Sequence, residues 1–74
     1  MDRAKHKVEY GKLALEYCKV KLPITVLKSA AGYYIGTANQ EIGTVSRESD
    51  EYFLTEAGAR AALKTGNWTQ RETP

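Results

Sequence analysis

Ile24-Thr25-Val26-Leu27-Lys28-Ser29, then Ala30-Ala31-Gly32, then Tyr33-Tyr34-Ile35-Gly36-Thr37-Ala38: this run decides the fold class. Its first six residues are rich in β-branched side chains, which suit a pleated strand. Ala30-Ala31-Gly32 is a short connection in which glycine supplies a positive φ. Along Tyr33–Ala38 the side chains alternate, with Tyr33 and Ile35 on one face and Tyr34 and Gly36 on the other. Asn39-Gln40-Glu41 is turn chemistry, and Ile42–Arg47 reads as a third strand. Beyond the polar loop Glu48-Ser49-Asp50, residues Glu51–Leu54 read either as a short fourth strand or as the lead-in to a helix.

That C-terminal helix is well punctuated. Thr55 suits the N-cap, Glu56 in the first turn suits the helix dipole, and Leu54 is placed to staple back against Ala59. Gly66 ends it, with Lys64 in the last turn. Its alanine-rich face predicts close approach to the sheet, with Leu63 as the core anchor.

Upstream, a helix is expected from near Asp2 to about Lys19, with Pro23 forbidding continuation. Ala4, Val8, Gly11, Leu15, Cys18 and Leu22 recur at helical spacing and form the expected buried face. Lys12 and Glu16 are an i,i+4 pair on the outer surface. A rival reading makes residues 18–28 one strand bent at Pro23, because Cys18, Val20, Leu22, Ile24 and Val26 alternate. A second apolar row, Tyr10, Leu13, Tyr17 and Val20, exceeds what one sheet contact requires. It predicts a homodimer through this helix, or else tyrosines that edge the core.

The expected architecture is therefore α+β: an N-terminal helix, a three- or four-stranded antiparallel β-meander, and a C-terminal helix packed on one sheet face. Residues 1–74 form a single domain, with a basic helical segment over 1–22 and sheet plus helix over 24–71. A chain this short buries only about 60% of its extended surface, so a shallow or shared site is expected rather than an enclosed one.

Chemistry is limited by inventory. His6 is the only histidine and Cys18 the only cysteine. A zinc site normally takes three or four His, Cys or carboxylate ligands at set spacings, so none is expected. Cys18 on an apolar helix face behaves as a small hydrophobe. Glu48, Asp50 and Glu51 share a loop without ligand spacing, and no phosphate-loop or dinucleotide fingerprint is present. No cofactor and no enzyme activity are expected. No run of 18 apolar residues occurs, and Met1–Lys7 lack the apolar stretch of a secretory signal. One unpaired thiol in a small domain points to a reducing cytoplasm.

Binding residues are more legible. Arg and Tyr are favoured at interfaces because each joins contact area to directed hydrogen bonds. On that ground Tyr34, Arg47, Glu48, Tyr52, Trp68 and Arg71 are the candidate binding residues. Ser and Asp also begin turns, and Trp68 also reads as a lid on the core. Charge carries an alternative. Residues 1–22 hold six Lys/Arg against three acids, and residues 23–74 hold five against six. The alternative is a nucleic-acid-binding accessory protein that uses the basic first helix through Lys12, Lys19 and Lys21.

Lys28-Ser29-Ala30-Ala31-Gly32-Tyr33-Tyr34-Ile35-Gly36-Thr37, Ser46-Arg47-Glu48-Ser49, Glu51-Tyr52-Phe53 and Gly66-Asn67-Trp68-Thr69-Gln70-Arg71 form a distinctive text. It resembles a group of small bacterial proteins met in prophages, plasmids and other mobile elements, over roughly residues 24–71. The resemblance implies a protein that binds and blocks a host protein, defence machinery included, and it assigns no residue a role.

Overall fold

Residues 9–73 are described by a computed structural model. The meander forms where the alternation places it. Strand β1 (Thr25–Ser29) pairs antiparallel with β2 (Gly32–Asn39), from Ser29 opposite Gly32 to Thr25 opposite Gly36. The Ser29 hydroxyl closes the turn, donating to the Gly32 carbonyl at 3.1 Å and accepting from the Ala31 N–H at 3.2 Å. At the next turn the Asn39 side-chain oxygen accepts the N–H groups of Glu41 and Ile42 at 2.7 and 3.2 Å. An Asx turn of this kind replaces backbone partners that the reversal removes. Strand β3 (Gly43–Arg47) then returns antiparallel along β2, with a register irregularity between Thr37 and Ala38.

No fourth strand forms among the described residues. Phe53 makes an isolated bridge to Tyr33, with reciprocal hydrogen bonds of 2.9 and 2.7 Å. The sheet order is thus β1-β2-β3, and the 48–53 segment continues the β3 side of β2.

Helix α2 (Glu56–Thr65) starts and stops as its punctuation predicts. Thr55 accepts the Gly58 N–H, and Gly66 takes the left-handed conformation. Ala59 and Ala62 are its buried residues, and α2 contacts β1 and β2. Two expectations fail here. Leu54 is 97% exposed, so there is no staple onto Ala59, and Leu63 is only half-buried. Two alanines three residues apart set the helix phase, and the larger Leu63 falls to the side of the contact.

The first helix departs most from expectation. Helix α1 spans only Lys12–Cys18. The part of the predicted helix over residues 1–8 lies outside the described residues. Residues 9–11 are extended: Tyr10 bridges to Pro23, Gly11 donates to the Leu22 carbonyl at 2.9 Å, and Ile24 donates to Glu9 at 3.0 Å. Only the C-terminal end of α1 falls where expected, at Lys19, which sits in the left-handed region at φ 60°. Its buried residues are Leu13 and Ala14, while Leu15 and Cys18 of the expected apolar face are exposed. The Lys12 ammonium lies 3.4 Å from Glu72 instead of meeting Glu16. The rival single strand over 18–28 does not form either, since only Thr25–Ser29 is strand there. Phase and start were both decided by a group far along the chain, the carboxylate of Glu48.

Candidate functional site

Ser46 and Glu48 are two residues apart, so strand alternation sends both side chains to one side of the sheet, and Arg47 to the other. Glu48 is fully buried. Its carboxylate accepts the Leu13 N–H at 3.0 and 3.1 Å and the Ala14 N–H at 3.1 Å. It also accepts the Ser46 hydroxyl at 2.6 Å and the Gln70 amide at 2.7 Å. Helix α1 has no side-chain cap of its own and no acid in its first turn. Glu48 therefore caps α1 from a distance, bonding two of the N–H groups that every helix start leaves open and placing negative charge at the positive end of the dipole. Gly11 lets this happen: a methyl group there would stand 2.6 Å from the Glu48 carboxylate and 2.5 Å from Thr37.

The same loop ties down the C-terminal segment. Ser49 bonds across to Ile35 and Glu51, and Arg71 donates its N–H to the Glu48 carbonyl at 2.7 Å. The Glu51 carboxylate accepts the Thr69 N–H at 3.0 and 3.1 Å.

Burial alone would raise the Glu48 pKa, but hydrogen bonds from Leu13, Ser46, Gln70 and Ala14 outweigh it and hold the carboxyl below its ordinary value. Glu51 shifts the same way, its slight burial outweighed mainly by the Thr69 bonds. The unfolded chain then takes up protons more readily than the folded one. Stability is fully present above the ordinary glutamate pKa of about 4.3 and is lost as pH falls through the lower folded value. Urea midpoints measured from pH 7 to pH 3 should fall below pH ~4.3, with a shallower fall in Glu48→Gln. Equal acid slopes in the two proteins would remove Glu48 as the cause.

On the opposite side of the sheet lies a different cluster. The Arg47 guanidinium sits 4.5 Å from the centre of the Tyr52 ring. Tyr52 meets Tyr34 edge to face at 5.9 Å. Tyr34 is buried, Arg47 half-buried and Tyr52 43% exposed, so the cluster runs from core to surface. Among the described residues no carboxylate lies within 4 Å of Arg47.

Of the six candidate binding residues, then, Tyr34, Arg47 and Tyr52 come together. Glu48 is turned inward as a structural cap. Arg71 is engaged within the fold, 3.5 Å from Asp50 and donating to the Thr73 carbonyl at 3.3 Å. Trp68 is half-buried. Sequence reasoning missed Thr37, Ser46 and Gln70 as members of the buried network; the shared parity of Ser46 and Glu48 was the available signal.

The Tyr10, Leu13, Tyr17 and Val20 row does not form one surface. Leu13 is 1% exposed and belongs to the core, because Glu48 holds its N–H against β3, whereas Tyr10 and Tyr17 are exposed. Val20 borders a groove of about 270 Å³, shared with Cys18, Leu22, Ile42, Thr44 and Val45. Among the described residues no His, Cys, Asp or Glu cluster is placed to hold a metal ion, and no helix is long and apolar enough to cross a membrane. The chain matches no family profile, no curated protein and no solved structure.

Proposed function

We propose that this chain is a non-enzymatic protein-interaction module whose contact is centred on Arg47 and Tyr52, backed by Tyr34. The carrying observation is the Arg47–Tyr52–Tyr34 stack, with ring and guanidinium distances of 5.9 and 4.5 Å. Stacking fixes the Arg47 and Tyr52 rotamers before any partner arrives, which lowers the ordering cost of binding. Guanidinium and phenol are also the groups that most often dominate interface energetics. The resemblance to small mobile-element proteins supports a host protein as the partner, blocked by binding in the cytoplasm.

The nucleic-acid reading is less well supported. Lys12 is paired with Glu72, and Lys21 lies 5.0 Å from the Tyr10 ring centre, so both of these cations already have partners within the fold. The test is affinity capture from a nuclease-treated bacterial lysate, comparing wild type with Arg47→Ala/Tyr52→Ala. A specific protein should be retained by wild type and reduced about tenfold or more in the variant, on the scale of a hot-spot loss. Circular dichroism should show the variant folded. Equal retention by both proteins, or capture of nucleic acid alone without nuclease, overturns the proposal.

A further inference from the structure

Arg47 is paired across the ladder with Gly36, so it shares a sheet face with Tyr34, Leu27 and Thr25. Tyr33, Val26 and Lys28 belong to the other face, where Glu56 at the start of α2 joins them around a cavity of about 250 Å³. Helix α1 is held on that other face too, through Glu48. The Arg47 face therefore carries neither helix.

Charge on this face is of one sign. The three strands contain no Asp or Glu, and their cations are Lys28 and Arg47. Alternation sends Lys28 to the helix side, so Arg47 is the charge the strands place on the open face. The acids that follow it in the chain are all engaged elsewhere. Glu48 accepts the Leu13 and Ala14 N–H groups, Glu51 accepts the Thr69 N–H, and Asp50 stands 3.5 Å from Arg71.

The guanidinium is also held in a defined pose. A methyl group on Gly36 would stand 3.1 Å from the Tyr34 ring, so that ring leans over Gly36, directly opposite Arg47. Tyr52 meets Tyr34 edge to face and holds the guanidinium 4.5 Å from its own ring centre. Stacking occupies a face of the guanidinium, whereas its N–H donors all lie in the plane and point outward from its edge. The ring thus fixes the fork without consuming a donor.

We infer that this face binds an aspartate or glutamate side chain of a protein partner, the carboxylate on the N–H edge of Arg47 and adjoining apolar groups against Tyr52 and Leu27. This rests on the reading of the chain as an interaction module and names what that module recognises. A carboxylate is planar and carries one charge, which suits one guanidinium through two parallel hydrogen bonds. Phosphate groups carry more charge and are read by clusters of arginines, whereas the strands of this face supply one cation.

NMR titration of the full chain with the probe acetyl-leucyl-glutamyl-leucinamide tests the inference. The Arg47 Nε–Hε signal and the Tyr52 ring signals should shift together and saturate. The glutaminyl analogue, which lacks only the charge, should bind about tenfold or more weakly, the scale of a charge-assisted hydrogen bond. Inorganic phosphate should also bind more weakly than the glutamyl probe. Arg47→Lys keeps the charge but not the fork and should weaken the glutamyl probe, whereas Tyr52→Phe keeps the ring and should not. Equal binding of the two peptides, tighter binding of phosphate, shifts that bypass Arg47, or no saturable shift at millimolar glutamyl probe overturns the inference. If a lysate protein is kept by wild type and lost by Arg47→Ala/Tyr52→Ala while the glutamyl probe fails, the module reading stands and the acidic partner falls. Equal retention by both proteins, with the glutamyl probe bound at Arg47, removes the module reading and leaves the carboxylate site.

Discussion

Glu48→Ala should take away a large share of this protein's stability. The substitution strips the Leu13 and Ala14 N–H groups of their acceptor in a buried place. Each orphaned buried donor costs about 1–3 kcal/mol. It also removes the charge that complements the α1 dipole, worth up to about 2 kcal/mol when partly buried. The Ser46 hydroxyl and Gln70 amide lose less, since each keeps another partner in Thr37 and in the Glu48 and Arg71 carbonyls. The sum is about 2–8 kcal/mol. A domain of this length has roughly 4–11 kcal/mol to lose. Glu48→Gln keeps the volume but points an amide donor toward groups that are themselves donors, so it should cost about 2–3 kcal/mol. The order to be read by urea denaturation is wild type, then Gln, then Ala. An alanine variant melting within a few degrees of wild type would mean that Glu48 is not the cap of α1.

Gly36→Ala should be nearly as damaging for a different reason. The added methyl group would run into the Ser46 carbonyl oxygen and come within 3.1 Å of the Tyr34 ring. The Ser46 carbonyl belongs to β3, whose register against β2 places Arg47 directly opposite Gly36. It cannot retreat without opening the β2–β3 ladder. Forced overpacking of this kind costs typically 1–3 kcal/mol, and a backbone obstacle puts the expected cost near about 3. In a small domain each kcal/mol moves the melting temperature by about 4–8 °C. Thermal melts should therefore drop by more than about 10 °C. Because Tyr34 is one of the obstructing groups, the near-ultraviolet tyrosine signal should change as well. A melt within two or three degrees of wild type would show that the strands separate there at little cost.

The site was legible in kind and partly in position. Tyr34, Arg47 and Tyr52 stand out by residue type, and strand parity puts Tyr34 and Arg47 on the same side. Glu48 stood beside Arg47 and read as the same surface, yet one step of alternation carries it into the core. Nothing in a local window tells which side of β3 is covered. Arg71 read as an exposed contact for the same reason, and Trp68 as either a contact or a lid on the core, while the bonds holding their segment come from Glu48, Asp50 and Glu51, some twenty residues earlier.

The amino-acid order by itself determined the elements whose signals are local. Turn residues at Ala30-Ala31-Gly32 and Asn39-Gln40-Glu41 bound the three strands, because a turn is decided by the conformations of a few consecutive residues. Thr55 and Gly66 bound α2, because a cap bonds groups within one turn of it. Only the tertiary structure decided α1. Its intrinsic pattern favours a long helix from near Asp2 with Gly11, Leu15 and Cys18 inside. The folded chain starts it at Lys12 with Leu13 and Ala14 inside. The charge that opens α1 comes from Glu48, thirty-five residues past Leu13, at the end of β3. A buried carboxylate needs those N–H groups more strongly than a short helix needs its intrinsic apolar stripe, so the long-range bond sets both the first residue of α1 and the face it buries.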